Sequence, residues 1–218
     1  MTSQTSPIHF VITGFEPFGD HAYNPSWHAA RNLADTLDSR SARAHLLSVT
    51  YTSAAQFARA HLESRATAPG SRVIFVHLGL AARRDHLAFE ERALNRRDHI
   101  PDNAERPLNP ALPPEQPLLT GDLPHRHTHL PLAELQTCYE HLRTDDLPPS
   151  KLSQDCGSYV CNALLYHSLR AAEAARAHGI HADAIFIHLP PLTPDQAHRT
   201  GRALAKSFIA LFDGGISA

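Results

Sequence analysis

Apolar and polar positions along the chain follow two rhythms. Ile8 to Thr13 is a short apolar run of β type that ends at Gly14. After the loop Phe15 to Pro25, an amphipathic stretch opens at Ser26, a good helix cap, and places Ala29, Ala30, Leu33 and Leu37 on one face. The alternation recurs as Ala44 to Tyr51 then Ser53 to Ser64, again at Arg72 to Leu78, and last as Ala184 to Leu189 then Pro194 to Phe212. Strands alternating with helices predict an α/β fold, an α/β/α sandwich whose mostly parallel, twisted sheet is covered by helices on both faces. Leu132 to Arg143 reads as a further helix with Pro131 tolerable at its start, and Cys156 to His178 as a long buried one. Between Ile100 and Pro131 the chain is proline-rich and broken, which predicts a long surface excursion. No internal repeat is visible, and residues 1–218 read as a single domain.

Charge and composition narrow the function classes. The 20 basic and 22 acidic residues are mixed along the sequence, so no basic face for nucleic acid or an anionic membrane stands out. No apolar run approaches the ~20 residues of a membrane helix. The three cysteines, Cys138, Cys156 and Cys161, are too few for a disulfide framework, and MTSQTSPIHFVITGF has neither a basic nor a long apolar leader region. The expectation is a soluble cytoplasmic protein.

An open α/β sheet holds its site beyond the carboxyl ends of its strands, which directs attention to the loops after Thr13, Leu78 and Leu189. Within Ser153 to Tyr166 (SQDCGSYVCNALLY), Cys161 falls in the first turns of the long helix, where free N–H groups and the helix dipole favour a thiolate. His188, at the end of the strand FIH and backed by Pro190 and Pro191, is the natural base for such a nucleophile. A carboxylate that orients the imidazole would complete the triad, and Glu90 is the candidate. Cys156 is a rival nucleophile, and Cys138 is read as packing.

These residues resemble the pyroglutamyl peptidases I, cysteine peptidases also called pyrrolidone-carboxylate peptidases. The family's TGF-x-PFG and NPSW motifs appear as Thr13 to Gly19 and Asn24 to Trp27, its ER-x-A-x-N and IPDN motifs as Glu90 to Asn95 and Ile100 to Asn103. Its VCN motif falls in Gly157 to Asn162 and its FIH-x-P strand end in Phe186 to Pro190. The resemblance implies Cys161 as nucleophile, His188 as general base and acid, and Glu90 as the orienting group. It implies a pocket for the lactam ring of N-terminally pyroglutamylated peptides formed by Phe15, Phe18, Asn24, Leu80, Ile100, Tyr159 and Val160. It further implies one catalytic domain, a homo-oligomer (dimer or tetramer), and no cofactor.

The chain departs from the family in three places. Leu80-Ala81-Ala82-Arg83 stands where many members have Gln-Ala-Gly-Gly, which puts the loop shape in question, and His99 stands where many have arginine before IPDN. Glu91 replaces the motif's arginine, which opens a register with Glu91 as the orienting carboxylate. A catalytically weak homologue that only binds blocked peptides is therefore the second reading. A nucleotide- or phosphate-binding module is the third, and Gly14 to Gly19 lacks the Gly-Lys-Ser/Thr ending or G-x-G-x-x-G order it needs. The run His125, His127, His129 has metal-like spacing but lies in the proline-rich region without an adjoining acidic or cysteine ligand, and is read as solvated.

Overall fold

The computed structural model describes residues 8–38, 41–64, 72–98, 100–104 and 115–213. Among these the elements run β1 (Ile8–Phe15), α1 (Pro25–Leu37), β2 (Ala42–Leu47), α2 (Tyr51–Ser64), β3 (Arg72–Leu80), β4 (Leu87–Glu90) and β5 (Arg92–Leu94). They continue with β6 (His125–His127), α3 (Leu132–Leu142), β7 (Ser150–Ser153), α4 (Val160–Arg176), β8 (His181–Leu189) and α5 (Pro194–Asp213). Six strands form one sheet in the order β2-β1-β3-β8-β4-β7. All neighbours are parallel except β4 and β8. No helix among the described residues is long and apolar enough to cross a membrane.

Alternation along the central strands divides the apolar residues between two layers. On β3, Ile74, Val76 and Leu78 join Leu33, Leu204 and Phe208 under α1, α3 and α5. Val73 and Phe75 instead join Leu164, Leu165 and Ala172 under α2 and α4. The near-continuous apolar character of β3 and β8 thus comes from burial on both faces, as parallel strands require.

Several boundaries differ from the sequence expectation for identifiable reasons. The predicted strand through Tyr51 stops at Leu47, because Thr50 Oγ1 accepts the Ser53 N–H at 3.1 Å and Asp102 Oδ2 accepts the Tyr51 N–H at 2.8 Å, which starts α2 early. The long helix begins at Val160 rather than Cys156, since Gly157 sits at φ +78°, outside helical geometry. β4, β5, β6 and β7 were not expected as strands. They are three or four residues long, and none shows the alternation that marks a half-buried strand. The proline-rich stretch carries β6, which pairs antiparallel with β5.

One buried polar group ties β1, β3 and α4 together. His77 is fully buried, with Nδ1 sharing a hydrogen bond with Thr13 Oγ1 at 2.9 Å and Nε2 with Ser168 Oγ at 2.9 Å. Burial pushes its pKa down from 6.5 to about 3, so the folded protein keeps this imidazole neutral where an unfolded chain protonates it. The unfolded state therefore binds more protons between those two values, and stability falls as pH drops through that window, by up to about 1.4 kcal/mol per pH unit from this group. Urea unfolding at pH 6.5 and pH 5 should show this loss in the parent chain. His77→Leu should be less stable overall and lose less between the two pH values; an equal loss would assign the acid sensitivity to other groups.

Candidate active site

The sheet's topology brings three chemically active side chains to one end. His188 is the penultimate residue of β8 and lies in register with Gly79 on parallel β3 and with Ala88 on antiparallel β4. The antiparallel pairing places Glu90 opposite Phe186, two residues before His188, which brings its carboxylate to the imidazole. His188 Nδ1 donates to Glu90 Oε1 at 2.7 Å, and both side chains are buried. This bond assigns the proton to Nδ1 and leaves Nε2 as an acceptor. Glu90, not Glu91, is the carboxylate on the imidazole. Glu91 is one residue further along the chain, and its N–H is held by Ser153 O at 2.7 Å.

Cys161 approaches from the α4 side. It is the second residue of the helix, partly exposed, and Ala163 is the first residue there to bond back, to Tyr159 O at 3.1 Å. The N–H groups of Val160, Cys161 and Asn162 thus precede the helical ladder. Gly79 supplies the space over which the thiol lies: a Cβ at this position would stand 2.6 Å from the Phe186 ring and 3.2 Å from Cys161 Sγ. The missing side chain at Gly79 thereby lets Phe186 of β8 and the thiol of α4 close over the same point of β3.

Burial, then the negative charge of Glu90, pushes the Cys161 thiol up from 9.0 to about 12. The expected thiolate, favoured by the helix N-terminus, is thus not the resting form; the group rests as a thiol. Cys156, in the loop before α4 and 4% exposed, is raised well above its ordinary value by burial and by the same carboxylate. Cys138 is buried on α3 in accord with a packing role.

A cavity of about 370 Å³ opens beside the thiol, walled by Phe15, Phe18, Asn24, Leu80 and Tyr159 with Cys161 and His188 at one end. The Phe18 and Tyr159 rings lie 6.4 Å apart. Two expected pocket residues stand elsewhere. The Val160 side chain is fully buried in the core beneath α4, because the first turn of the helix points it at the sheet. Ile100 is 48% exposed and lines an adjoining recess of about 1150 Å³ with Asp102, Phe18 and Tyr159, the last two of which it shares with the first cavity. Asn24 reaches the cavity wall with its amide committed: Oδ1 accepts from the Ser26 N–H at 3.1 Å and from Ser26 Oγ at 2.8 Å, and Nδ2 donates to Glu16 O at 3.0 Å.

Arg84 was missed from the sequence. Its Nη1 donates to Glu90 Oε1 at 2.6 Å and its Nη2 to Asp155 O at 2.8 Å, bridging the orienting carboxylate to the loop before α4. The only available signal was an arginine six residues before Glu90 in a loop at the strand ends. The Leu80 to Arg83 departure has a local answer: Arg84 N–H bonds to Ala81 O at 2.9 Å, closing a turn in which no residue has positive φ. Such a turn does not require glycine. His99 lies outside the described residues. His125 and His127 lie on β6 with rings 5.1 Å apart, and the His129 N–H is held by Asp183 Oδ2 at 2.9 Å.

A thiol, an imidazole and a carboxylate gathered at the strand ends of an α/β sandwich define a hydrolase of the cysteine-peptidase class. The chain belongs to the pyroglutamyl peptidase family, whose profile (Peptidase_C15, Pyroglutamyl peptidase) matches residues 8–208. It is 34% identical over 191 residues to a pyrrolidone-carboxylate peptidase of Chromobacterium violaceum, covering 87% of this chain and 80% of that one. The pyroglutamyl peptidase I of Bacillus amyloliquefaciens superposes with a TM-score of 0.71 at 25% identity, over 91% of this chain and 95% of that one. The fold is shared with the pyrrolidone carboxyl peptidase of Fervidobacterium islandicum, at a TM-score of 0.75 and 20% identity, over 92% and 98% of the two chains.

The state of the thiol is open to direct measurement. Iodoacetamide labelling of Cys161, followed by mass spectrometry in the absence of substrate, should accelerate about tenfold per pH unit from pH 6 to 9 without levelling off. A plateau beginning below pH 7 would instead indicate a standing thiolate.

Proposed function

We propose that this chain hydrolyses the amide bond after an N-terminal pyroglutamyl residue, with Cys161 as nucleophile, His188 as general base and acid, and Glu90 as the group that orients His188. The observation that carries this reading is the buried Glu90–His188 bond beside the thiol, in a chain of the pyroglutamyl peptidase family. Because the thiol rests protonated, attack and proton transfer go together. Sγ bonds to the substrate carbonyl carbon while its proton passes to His188 Nε2. The oxyanion that forms is within the field of the N–H groups at the start of α4. Its collapse breaks the C–N bond, the leaving amine takes the proton from His188, and a thioester remains. Water then adds to the thioester, gives its proton to His188, and the thiol is restored as pyroglutamate leaves.

The cavity suits a flat, uncharged ring. Phe15, Phe18, Leu80 and Tyr159 supply apolar wall against which the faces of a lactam ring can lie, while Arg83, Arg84 and Asp155 add charge elsewhere on the lining. Arg84 acts through Glu90 as a positioning residue. The intact trio favours an active enzyme over a binding-only homologue. A homo-oligomer and a cytoplasmic location belong to the same proposal, on the family resemblance alone.

A chromogenic pyroglutamyl amide tests the reading. Cys161→Ser should fold and lose at least about a thousandfold in kcat, whereas Cys156→Ser should keep most of its activity. Equal activity in Cys161→Ser would overturn the assignment, and loss confined to Cys156→Ser would transfer the nucleophile. Arg84→Met should lower kcat by about tenfold to a hundredfold, with a smaller change in KM, because Arg84 also lines the cavity but its hydrogen bonds go to Glu90 and to Asp155 O. A rise in KM alone would make Arg84 a substrate contact.

A further inference from the structure

We propose that Cys156, His188 and Glu90 form a metal site, taking a zinc-type divalent cation that switches the peptidase off reversibly. Each residue offers one ligand atom, these atoms all lie within 4.8 Å of one another, and all three residues are buried. In a tetrahedral zinc site, bonds of about 2.0–2.3 Å put neighbouring ligand atoms about 3.3–3.8 Å apart. Closing the present cluster around a cation thus asks for movements of about an ångström. Thiolate, imidazole and carboxylate are the donor set that a borderline cation such as Zn²⁺ takes, with a fourth position left for water. The two anionic ligands offset its charge, with the Arg84 guanidinium remaining on Glu90 Oε1.

A second observation points to a cation independently of the spacing. Glu90 Oε1 already accepts from His188 and Arg84, whereas Oε2 is buried with no hydrogen-bond partner. A buried carboxylate oxygen left unpaired is costly, and a bound cation supplies the missing partner. Binding replaces the Cys156 thiol proton with the metal–sulfur bond and releases that proton to solvent. Cys156 reaches the cavity that holds Cys161, so the cation has a path in.

The consequence for catalysis rests on reading His188 as the base; the binding itself does not. A metal on His188 and Glu90 fixes the imidazole and consumes the carboxylate that orients it, so proton transfer from Cys161 stops while Cys161 itself stays free. This differs from a chelate between Cys161 and His188, which is the alternative any thiol and imidazole pair presents.

Full-length protein freed of metal with a chelator, and kept reduced, should be titrated with Cd²⁺ and Co²⁺ while thiolate-to-metal charge-transfer absorption is followed. Wild type and Cys161→Ala should each bind one equivalent with this band. Cys156→Ala and Cys156→Ser, checked for native circular dichroism and thermal unfolding, should lose the band and bind more than about tenfold more weakly. Zinc should inhibit pyroglutamyl amide hydrolysis reversibly, and the concentration needed should rise more than about tenfold in either Cys156 variant, each measured against its own metal-free rate. A band that survives in both Cys156 variants, or that disappears in Cys161→Ala instead, would overturn the site. A Cys156-dependent band in a protein without peptidase activity would support the site and remove the proposed function.

Discussion

The buried oxygen Glu90 Oε1 accepts two hydrogen bonds, from His188 at 2.7 Å and from Arg84 at 2.6 Å, and the geometry of the whole site follows from that sharing. A carboxylate of zero exposure is tolerated only when charge and hydrogen bonds compensate it, and the guanidinium is the charge that does so. Arg84 reaches Glu90 from one side and the carbonyl of Asp155 from the other. The loop that leads into α4 is thereby fastened to the strand that carries the orienting carboxylate. Position of the thiol and orientation of the imidazole are consequently not independent.

Around this centre, the most recognisable sequence motifs turn out to be joints. Asn162, next to Cys161, donates to Leu94 O and Arg96 O at 2.8 Å each and accepts the Leu94 N–H at 2.8 Å, which docks the start of α4 on β5. Asp102 caps α2 through Tyr51, and Asn103 Nδ2 donates to Pro17 O and Glu16 Oε1, both at 3.1 Å, pinning the β1 loop. Asn24 caps α1. Each side chain satisfies one or more main-chain groups at a junction where no regular ladder runs, which is the work short amides and carboxylates do best. An irregular site held by such joints tolerates change in its walls, as at Ala82 and Arg83, more readily than change in its fasteners.

How much of this was legible in the sequence follows from the range of the interactions involved. The long strands and helices, β1, β3, β8, α1 and α5, announce themselves because burial on one or two faces imposes a period on many residues. That Cys161, His188 and Glu90 come together was legible from their places beside a helix start and strand ends, reinforced by the family's motifs. The short strands β4 and β7 were not, since each is held by pairing with distant residues rather than by its own pattern. Arg84 was invisible for a related reason, because its value lies in a carboxylate and a carbonyl that only the antiparallel β4–β8 pairing and the α4 loop bring within reach. Val160 was misplaced into the pocket because a helical register of one residue decides between core and cavity.

The same structure weighs two opposing influences on the thiol. A helix N-terminus favours an anion by about 0.3–1 kcal/mol, up to ~2 in partly buried sites. Desolvation, with Glu90's charge behind it, opposes the thiolate and pushes the thiol up to about 12. Burial first, and the Glu90 charge second, hold the Cys161 thiol in its neutral form against the pull of the helix N-terminus. On the proposed mechanism the anion forms only as His188 takes the proton, and the charge passes to the substrate oxygen at the start of α4. Burial in this arrangement lowers the chance of idle oxidation or alkylation of the thiol, since those reactions need the thiolate. On that mechanism the Glu90–His188–Arg84 arrangement couples reactivity to the presence of a carbonyl that can receive the charge.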